Sequence, residues 1–264
     1  MTSLTAFLAA NPDTILVTIS QAKGSTPREQ GAYMLVSPSA SFGTIGGGQL
    51  EFMAIDNARA LIGGEGMPEM DIPLGPDIGQ CCGGRTRLSF SKVTPRVAAD
   101  LESDRAAESA AYPRVILFGA GHVGQALVRA LSPLPFSVTV IETRAEALKD
   151  LPPGIEARHV AMPEALVRDL APGSAVLILT HDHALDFLIA REALARSDLA
   201  YVGMIGSATK RATFKSWLAR ETHGTISADP LILPIGGTAV HDKRPEVIAA
   251  MVAAELLTTL SKTD

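Results

Sequence analysis

Cysteine is scarce: Cys81 and Cys82 are the two in 264 residues. Adjacent in sequence, they are poorly placed for an ordinary structural disulfide, and free thiols in a reducing compartment are expected. Long apolar runs are missing as well. No stretch approaches the ~20 apolar residues of a membrane span, and the opening segment MTSLTAFLAANPD has no basic n-region. Neither a membrane association nor a secretory signal is therefore expected, and the cytoplasm is the expected compartment. An excess of basic residues is also lacking, with 23 Lys and Arg against 28 Asp and Glu and a formal charge of -5. Such a balance gives no electrostatic footprint for nucleic acid or an anionic membrane surface. An anionic ligand would have to be captured by a local site. No internal repeat and no low-complexity tract occurs.

What is present is ample apolar content, 47%, which at this length suits one large core or two modest ones. Up to about Val93, short β-branched runs such as Thr14 to Ile19 and Tyr33 to Val36 alternate with glycine-rich turns, the pattern of a small mixed sheet. A helix is expected from about Gln49 to Leu61, stopped by Gly63 and Gly64. Between about Thr94 and Tyr112 the apolar pattern weakens and a linker, partly helical, is expected. Strand and helix then alternate: Arg114 to Gly119, Val123 to Leu131, Ser137 to Glu142, and Ala175 to Thr180. That rhythm signals a parallel sheet with helices on its faces. A last helix, Pro245 to Leu260, has proline in its first turn and a broad apolar face suited to its own domain or to a second protomer, so a homodimer is expected. The chain thus reads as α/β, with an N-terminal mixed α+β domain over residues 1–95, a linker over 96–112 and a Rossmann-like domain over 113–264.

Gly119, Gly121 and Gly124 form Gly-x-Gly-x-x-Gly between a strand and a helix, and Glu142 ends the next strand about 20 residues on. Glycines there permit a tight turn and close backbone approach, the helix start attracts phosphate, and the acid suits a ribose. A dinucleotide is one reading; simple strand-to-helix packing with a strand-end carboxylate is the other. His122, inside the turn, could bond a phosphate or fill space. His181, Asp182, His183 and Asp186, two imidazoles and two carboxylates, lie past the end of another expected strand, where open α/β sheets gather ligands. Their spacing fits no familiar structural zinc site, leaving a ligand-facing polar turn or a helix cap by Asp182. Ser207 and Lys210 follow a further strand, able either to cap a helix or to meet an oxyanion.

The first half offers three more loops. Ser25, Thr26 and Arg28, with Pro27 between, suit a grip on phosphate or carboxylate. Gly46, Gly47 and Gly48 lead into the helix bearing Glu51, and three consecutive glycines suggest a need for bare backbone toward an anion or heterocycle, or else a tight structural turn. Cys82 precedes Gly83, Gly84 and Arg85. A neighbouring cation favours thiolate, the form that binds soft metals or carries sulfur, although cysteines are more often small buried hydrophobes.

Taken together, GSTPR at 24 to 28, GAYMLV at 31 to 36, GTIGGGQLE at 43 to 51, CGG at 82 to 84, GAGHVGQAL at 119 to 127, THDHALD at 180 to 186 and YVGMIGS at 201 to 207 resemble the XdhC/CoxI family in the same order. The resemblance implies an XdhC/CoxI domain followed by a Rossmann-like domain. It also implies a chaperone that binds the molybdenum cofactor (molybdopterin), protects it while a cysteine desulfurase sulfurates it, and inserts it into xanthine dehydrogenase or a related molybdenum hydroxylase. On that reading Ser25, Thr26, Arg28, Gly46 to Gly48, Glu51 and Cys82 converge on the cofactor in a cleft between the domains, with Cys82 near molybdenum, and a dinucleotide is an additional candidate for the second domain. The segment from Pro234 to Gly237 and from Lys243 to Ala249 resembles the xanthine dehydrogenase branch, with Gly237 in place of a bulkier apolar residue; Glu142-Thr143-Arg144 stands where Asp-x-Arg is more usual. A rival reading of the same glycine turn is an NAD(P)-dependent oxidoreductase.

Overall fold

The computed structural model describes residues 3–75, 83–152 and 154–260. The chain divides into two compact units, Met1–Ala107 and Glu108–Asp264.

The first unit is a five-stranded sheet. Helix α1 (Leu4–Ala10) is followed by strands β1 (Ile15–Lys23), β2 (Tyr33–Val36) and β3 (Ser41–Gly43), helix α2 (Gly48–Gly63), and strands β4 (Glu69–Pro73) and β5 (Arg85–Lys92). The sheet order is β3-β2-β1-β5-β4, and every pairing is antiparallel rather than mixed. Short connections explain the difference: β1 turns straight back into β2 and β2 into β3, without the helical crossover that a parallel pair requires. Ile15, Val17 and Ile19 alternate along β1 into a core with Leu50, Ala54 and Ala58 of α2. Leu4 and Phe7 of α1 pack with Leu35 in a separate cluster. Helix α3 (Pro95–Ala111) occupies the expected linker and buries none of its residues.

The second unit alternates strand and helix: β6 (Arg114–Phe118), α4 (His122–Leu131), β7 (Ser137–Glu142), β8 (Glu156–His159), the one-turn α5 (Pro163–Leu166), β9 (Ala175–Ile178), α6 (His183–Leu194), β10 (Tyr201–Met204), α7 (Ala208–Glu221) and α8 (Pro245–Leu260). Its sheet is wholly parallel in the order β10-β9-β6-β7-β8. Chain direction across the sheet reverses between β6 and β9, so their carboxyl ends form the switch point at which doubly wound sheets take ligands. Ala126, Leu127 and Leu131 of α4 share a core with Val252 and Leu256 of α8. Part of the apolar face that suggested a second protomer, Val252 and Leu256, is thus buried inside its own unit, while Val247, Ile248 and Met251 are only partly buried. On the other sheet face, Ile189 of α6 and Phe214 and Leu218 of α7 close a second core. No helix among the described residues is long and apolar enough to cross a membrane.

Phe214 is fully buried and meets Phe187 at 5.1 Å and Trp217 at 6.0 Å between ring centroids. Phe214→Ala is expected to destabilise this unit by about 3–5 kcal/mol through lost burial and a cavity. Urea unfolding followed by the fluorescence of Trp217, the chain's one tryptophan, reads that loss as a lower midpoint with an unchanged slope.

Candidate functional site

Three loops of the first unit meet at one end of its sheet. Gly46 adopts φ +125, and a Cβ there would stand 2.6 Å from Pro27 Cβ, so the GTIGGG loop lies directly against GSTPR. A Cβ on Gly84 would stand 2.3 Å from the Ser25 carbonyl oxygen, and one on Gly24 3.3 Å from Gly84 Cα. Bare backbone is needed at Gly84, where an added atom would overlap a carbonyl, while at Gly24 the approach is tight and φ is +71. Ser25 and Arg28 are exposed, and the side chains of Ser25, Thr26 and Arg28 make no hydrogen bond or ion pair among the described residues. Just past Gly84, Thr86 Oγ is buried without a hydrogen-bond partner among the described residues, a condition that native proteins leave unexplained in few places. Cys81 and Cys82 lie outside the described residues; Gly83, next in the chain, is beside this junction, its carbonyl oxygen 3.9 Å from where a Gly24 Cβ would be.

The glycine loop is not an open set of donors. Glu51, in the first turn of α2, reaches back and accepts from Gly47 N–H at 3.0 Å, Ile45 N–H at 3.3 Å and the Thr44 hydroxyl at 2.7 Å. Thr44 Oγ in turn accepts from Gly46 N–H at 3.1 Å. The peptide groups expected to face a ligand at Gly46 and Gly47 are therefore occupied by the protein's own side chains, and Glu51 acts as an internal cap rather than a free ligand group. Gly48, the first residue of the helix, is outside this network. Phe52, next to Glu51 and one turn along from Gly48, is 64% exposed; an exposed aromatic of this kind has no signature in a single sequence.

In the second unit the three motif glycines have different roles. A Cβ on Gly119 would stand 2.3 Å from the Leu179 carbonyl oxygen, and one on Gly124 2.3 Å from the Gly119 carbonyl oxygen. Those two are required by packing. Nothing lies within 4 Å of a Cβ position on Gly121, which leaves open space before the start of α4. Exposed His122 lies there, and exposed His181 and His183 follow the end of the adjoining strand β9. These imidazoles make no hydrogen bond among the described residues, and no group of three or more His, Cys, Asp or Glu there is arranged to hold a metal.

Glu142 departs from the expected ribose acceptor. It is 3% exposed. Its carboxylate accepts from Ala120 N–H at 2.9 Å, Thr143 N–H at 2.9 Å, Arg144 N–H at 3.1 Å and the Arg144 guanidinium at 3.0 and 3.2 Å. A carboxylate has about four lone-pair sites, so none is left for a sugar hydroxyl. Burial by itself would raise its pKa, but the Arg144 guanidinium and the Ala120 and Arg144 peptide donors outweigh burial and hold it at about 2. Arg144 was legible only as part of the strand-end triplet, not as the partner of Glu142.

Asp182, Ser207 and Lys210 also serve the fold. Asp182 caps α6 through Ala184 N–H at 2.8 Å, and Ser207 caps α7 through Lys210 N–H at 3.3 Å. Lys210 Nζ donates to fully buried Asp186 at 2.5 Å and to the Ile205 carbonyl at 2.9 Å. Asp186 also accepts from Thr180 N–H and its hydroxyl, at 3.0 and 2.7 Å. This ion pair ties the histidine turn to the loop after β10, so the ammonium expected to meet an oxyanion is engaged below the surface. Asp186 was not expected as a structural centre; its position four residues after a cap and amid apolar Leu185 and Ile189 is the signal that it points inward. A cavity of about 470 Å³ opens at the opposite sheet edge beside Arg114, Ser137, Glu156 and Arg158 and includes none of the expected site residues.

Two consequences are measurable. A carboxylate with a folded pKa near 2 against an ordinary 4.5 contributes stability above the higher value and loses it as pH falls toward the lower. Glu142→Gln should therefore destabilise the second unit by about 3 kcal/mol at pH 7, and the difference from the unmodified protein in urea titrations should shrink as pH falls from about 5 to about 2. Lys210→Met should destabilise by about 3–5 kcal/mol, because it strands the buried Asp186 charge. Adding Asp186→Leu should recover much of that loss in the same assay.

Comparison with known proteins accords with this anatomy. Residues 115–256 match the model of the XdhC Rossmann domain, and residues 7–70 match that of the XdhC and CoxI family. The protein YqeB of Escherichia coli K12 is 28% identical over 250 residues, covering 90% of this chain and 42% of YqeB. A protein of Bacillus subtilis 168 described as a probable xanthine dehydrogenase component is 31% identical over 150 residues, covering 56% of this chain and 43% of that protein. The chain thus spans less than half the length of these curated relatives. A crystal structure from Bacillus halodurans described as a xanthine dehydrogenase superposes with TM-score 0.79 over 99% of this chain and 95% of that one; at 20% identity the likeness speaks for the fold alone. With its second unit matched almost throughout and most of its first unit matched as well, the chain belongs to the XdhC and CoxI family.

Proposed function

We propose that this chain is a cytoplasmic accessory protein that holds the molybdenum cofactor, shelters it while a cysteine desulfurase equips it with a sulfido ligand, and passes it to xanthine dehydrogenase or a related molybdenum hydroxylase. The observation that carries this reading is the junction of GSTPR, GTIGGG and Gly83-Gly84 in the first unit, where Arg28, Ser25 and Thr26 present polar groups without protein partners among the described residues. The cofactor combines a phosphate, a flat pterin and a dithiolene-bound metal. Arg28 with the two hydroxyls suits the phosphate, exposed Phe52 suits a flat ring, and Cys82, directly before Gly83, is the proposed thiol near the metal. In the client the cofactor supplies redox chemistry; here the residues bind, orient and shield it. Family membership and the name of the Bacillus subtilis relative favour a xanthine dehydrogenase as client.

The glycine turn of the second unit is the feature that favours an NAD(P)-dependent oxidoreductase instead. Against it stands Glu142, whose carboxylate is fully engaged with Ala120, Thr143 and Arg144. Purification from a cofactor-producing host tests both readings. The unmodified chain should carry molybdopterin, and Arg28→Ala and Cys82→Ala should each retain about tenfold less, the equivalent of about 1.4 kcal/mol of binding. Undiminished retention in both variants removes these residues from the site, and saturable nicotinamide turnover would overturn the chaperone reading.

A further inference from the structure

The two faces of the parallel sheet are covered unequally. Val115 and Leu117 of β6 and Val138 and Val140 of β7 belong to the core that α4 and α8 close. Ile116, Thr139 and Ile141 alternate to the opposite face, and Glu156 and Arg158 of β8, in register with Thr139 and Ile141, share it. Wholly parallel sheets ordinarily lie under helices on both faces. Here the connection from β8 to β9 supplies the single turn of α5 and the 3-10 turn Val167–Asp169, too little to lie across β7 and β8. The cavity of about 470 Å³ at the amino ends of these strands is the space that results.

That volume falls within the ~300–1,000 Å³ of ligand sites. Ile116 and Ile141 of the sheet, with Leu166, Leu170 and Ala171 of the connection, line it with apolar surface. Part of its polar lining is closed on itself. Arg158 donates to Glu156 at 2.6 and 2.8 Å, and the Thr139 hydroxyl donates to the same carboxylate at 3.0 Å. Those two donors, Arg158 first, hold the Glu156 carboxyl below the ordinary carboxylate range. The Ser174 hydroxyl donates to the Ala171 carbonyl at 2.7 Å.

The rest of the polar lining is unengaged. Arg114, Ser137 and Asp169 are exposed, and their side chains make no hydrogen bond or ion pair among the described residues. Arg114 and Ser137 are cross-strand partners on β6 and β7, so guanidinium and hydroxyl start from adjacent positions. Arg168 and Arg196, the cations that feel the Asp169 carboxylate, are themselves bound to Glu192 at 2.8 Å and Asp198 at 2.7 Å. One cavity therefore combines a guanidinium beside a hydroxyl, a carboxylate, and aliphatic surface. The first pair suits a ligand carboxylate and the acid suits an ammonium. Arg114 and Arg158 balance Glu156 and Asp169 in formal charge, which favours a ligand with no net charge of its own.

We propose that this cavity binds a free α-amino acid with an apolar side chain, its carboxylate turned to Arg114 and Ser137, its ammonium to Asp169 and its side chain to the aliphatic lining. The site lies wholly in the second unit and does not need the cofactor-delivery reading. Calorimetric titration of the full chain with L-leucine and with L-phenylalanine, each beside its deaminated acid and its decarboxylated amine, tests it. Saturable binding of at least one amino acid is expected, with the corresponding acid and amine each bound about tenfold or more weaker. Arg114→Met and Asp169→Asn, exposed substitutions that leave the core intact, should each weaken binding of the amino acid by about tenfold or more. No saturable binding of either amino acid at millimolar concentration, equal binding of the acid or the amine, or undiminished binding in either variant overturns the proposal. Molybdopterin retention by the first-unit loops succeeds or fails separately.

Discussion

A carboxylate of the same unit holds the peptide donors of each principal turn. Glu51 occupies Ile45 and Gly47, Glu142 occupies Ala120 and the start of its own loop, and Asp186 occupies Thr180. Glycine-rich turns expose peptide N–H groups that are costly to leave bare when buried, and an internal anion satisfies them while fixing the loop in one conformation. The cationic partners differ in kind. Glu142 has Arg144 and Asp186 has Lys210, whereas Glu51 relies on a hydroxyl and peptides. The interior-facing donors of these turns are consequently structural, and the groups left for a ligand are those at the rims: Arg28, Ser25, His122, His181 and His183.

This arrangement marks the limit of what could be read from residues in order. Strand β7, strand β2 and helix α8 begin and end where periodicity placed them, because alternation and helical spacing are local properties. The Gly-x-Gly-x-x-Gly turn was legible for the same reason, as was the parallel sheet around it. Which carboxylate closes which turn is not local. Glu142 is 22 residues from Ala120 and Lys210 is 24 from Asp186, and Glu142 at its strand end could equally have faced solvent on sequence pattern alone. The expectation of a mixed sheet in the first unit failed for a related reason: strand direction depends on connections whose length, not composition, decides it.

The three loops of the first unit show the converse. The loops stand apart in the chain, and the packing brings them together, since Gly46 yields space to Pro27 and Gly84 to Ser25. Contacts of that type are made by absent side chains, so each of these glycines is tied to a residue of another loop. In the second unit, Gly121 alone of the three motif glycines keeps free space before it, so the fingerprint there combines two packing glycines with one that opens the helix start.

The connection from β8 to β9 contains only the single turn of α5 and a short 3-10 turn, Val167–Asp169. Strand β8 is consequently a bare margin of the sheet, exposed at all four residues. Such margins invite pairing with other chains, and this one carries an ion pair instead, Arg158 with Glu156 at 2.6 Å. Solubility of the Rossmann unit along that border is thus entrusted to hydrated charge rather than to a covering helix, and sensitivity to salt would be concentrated there.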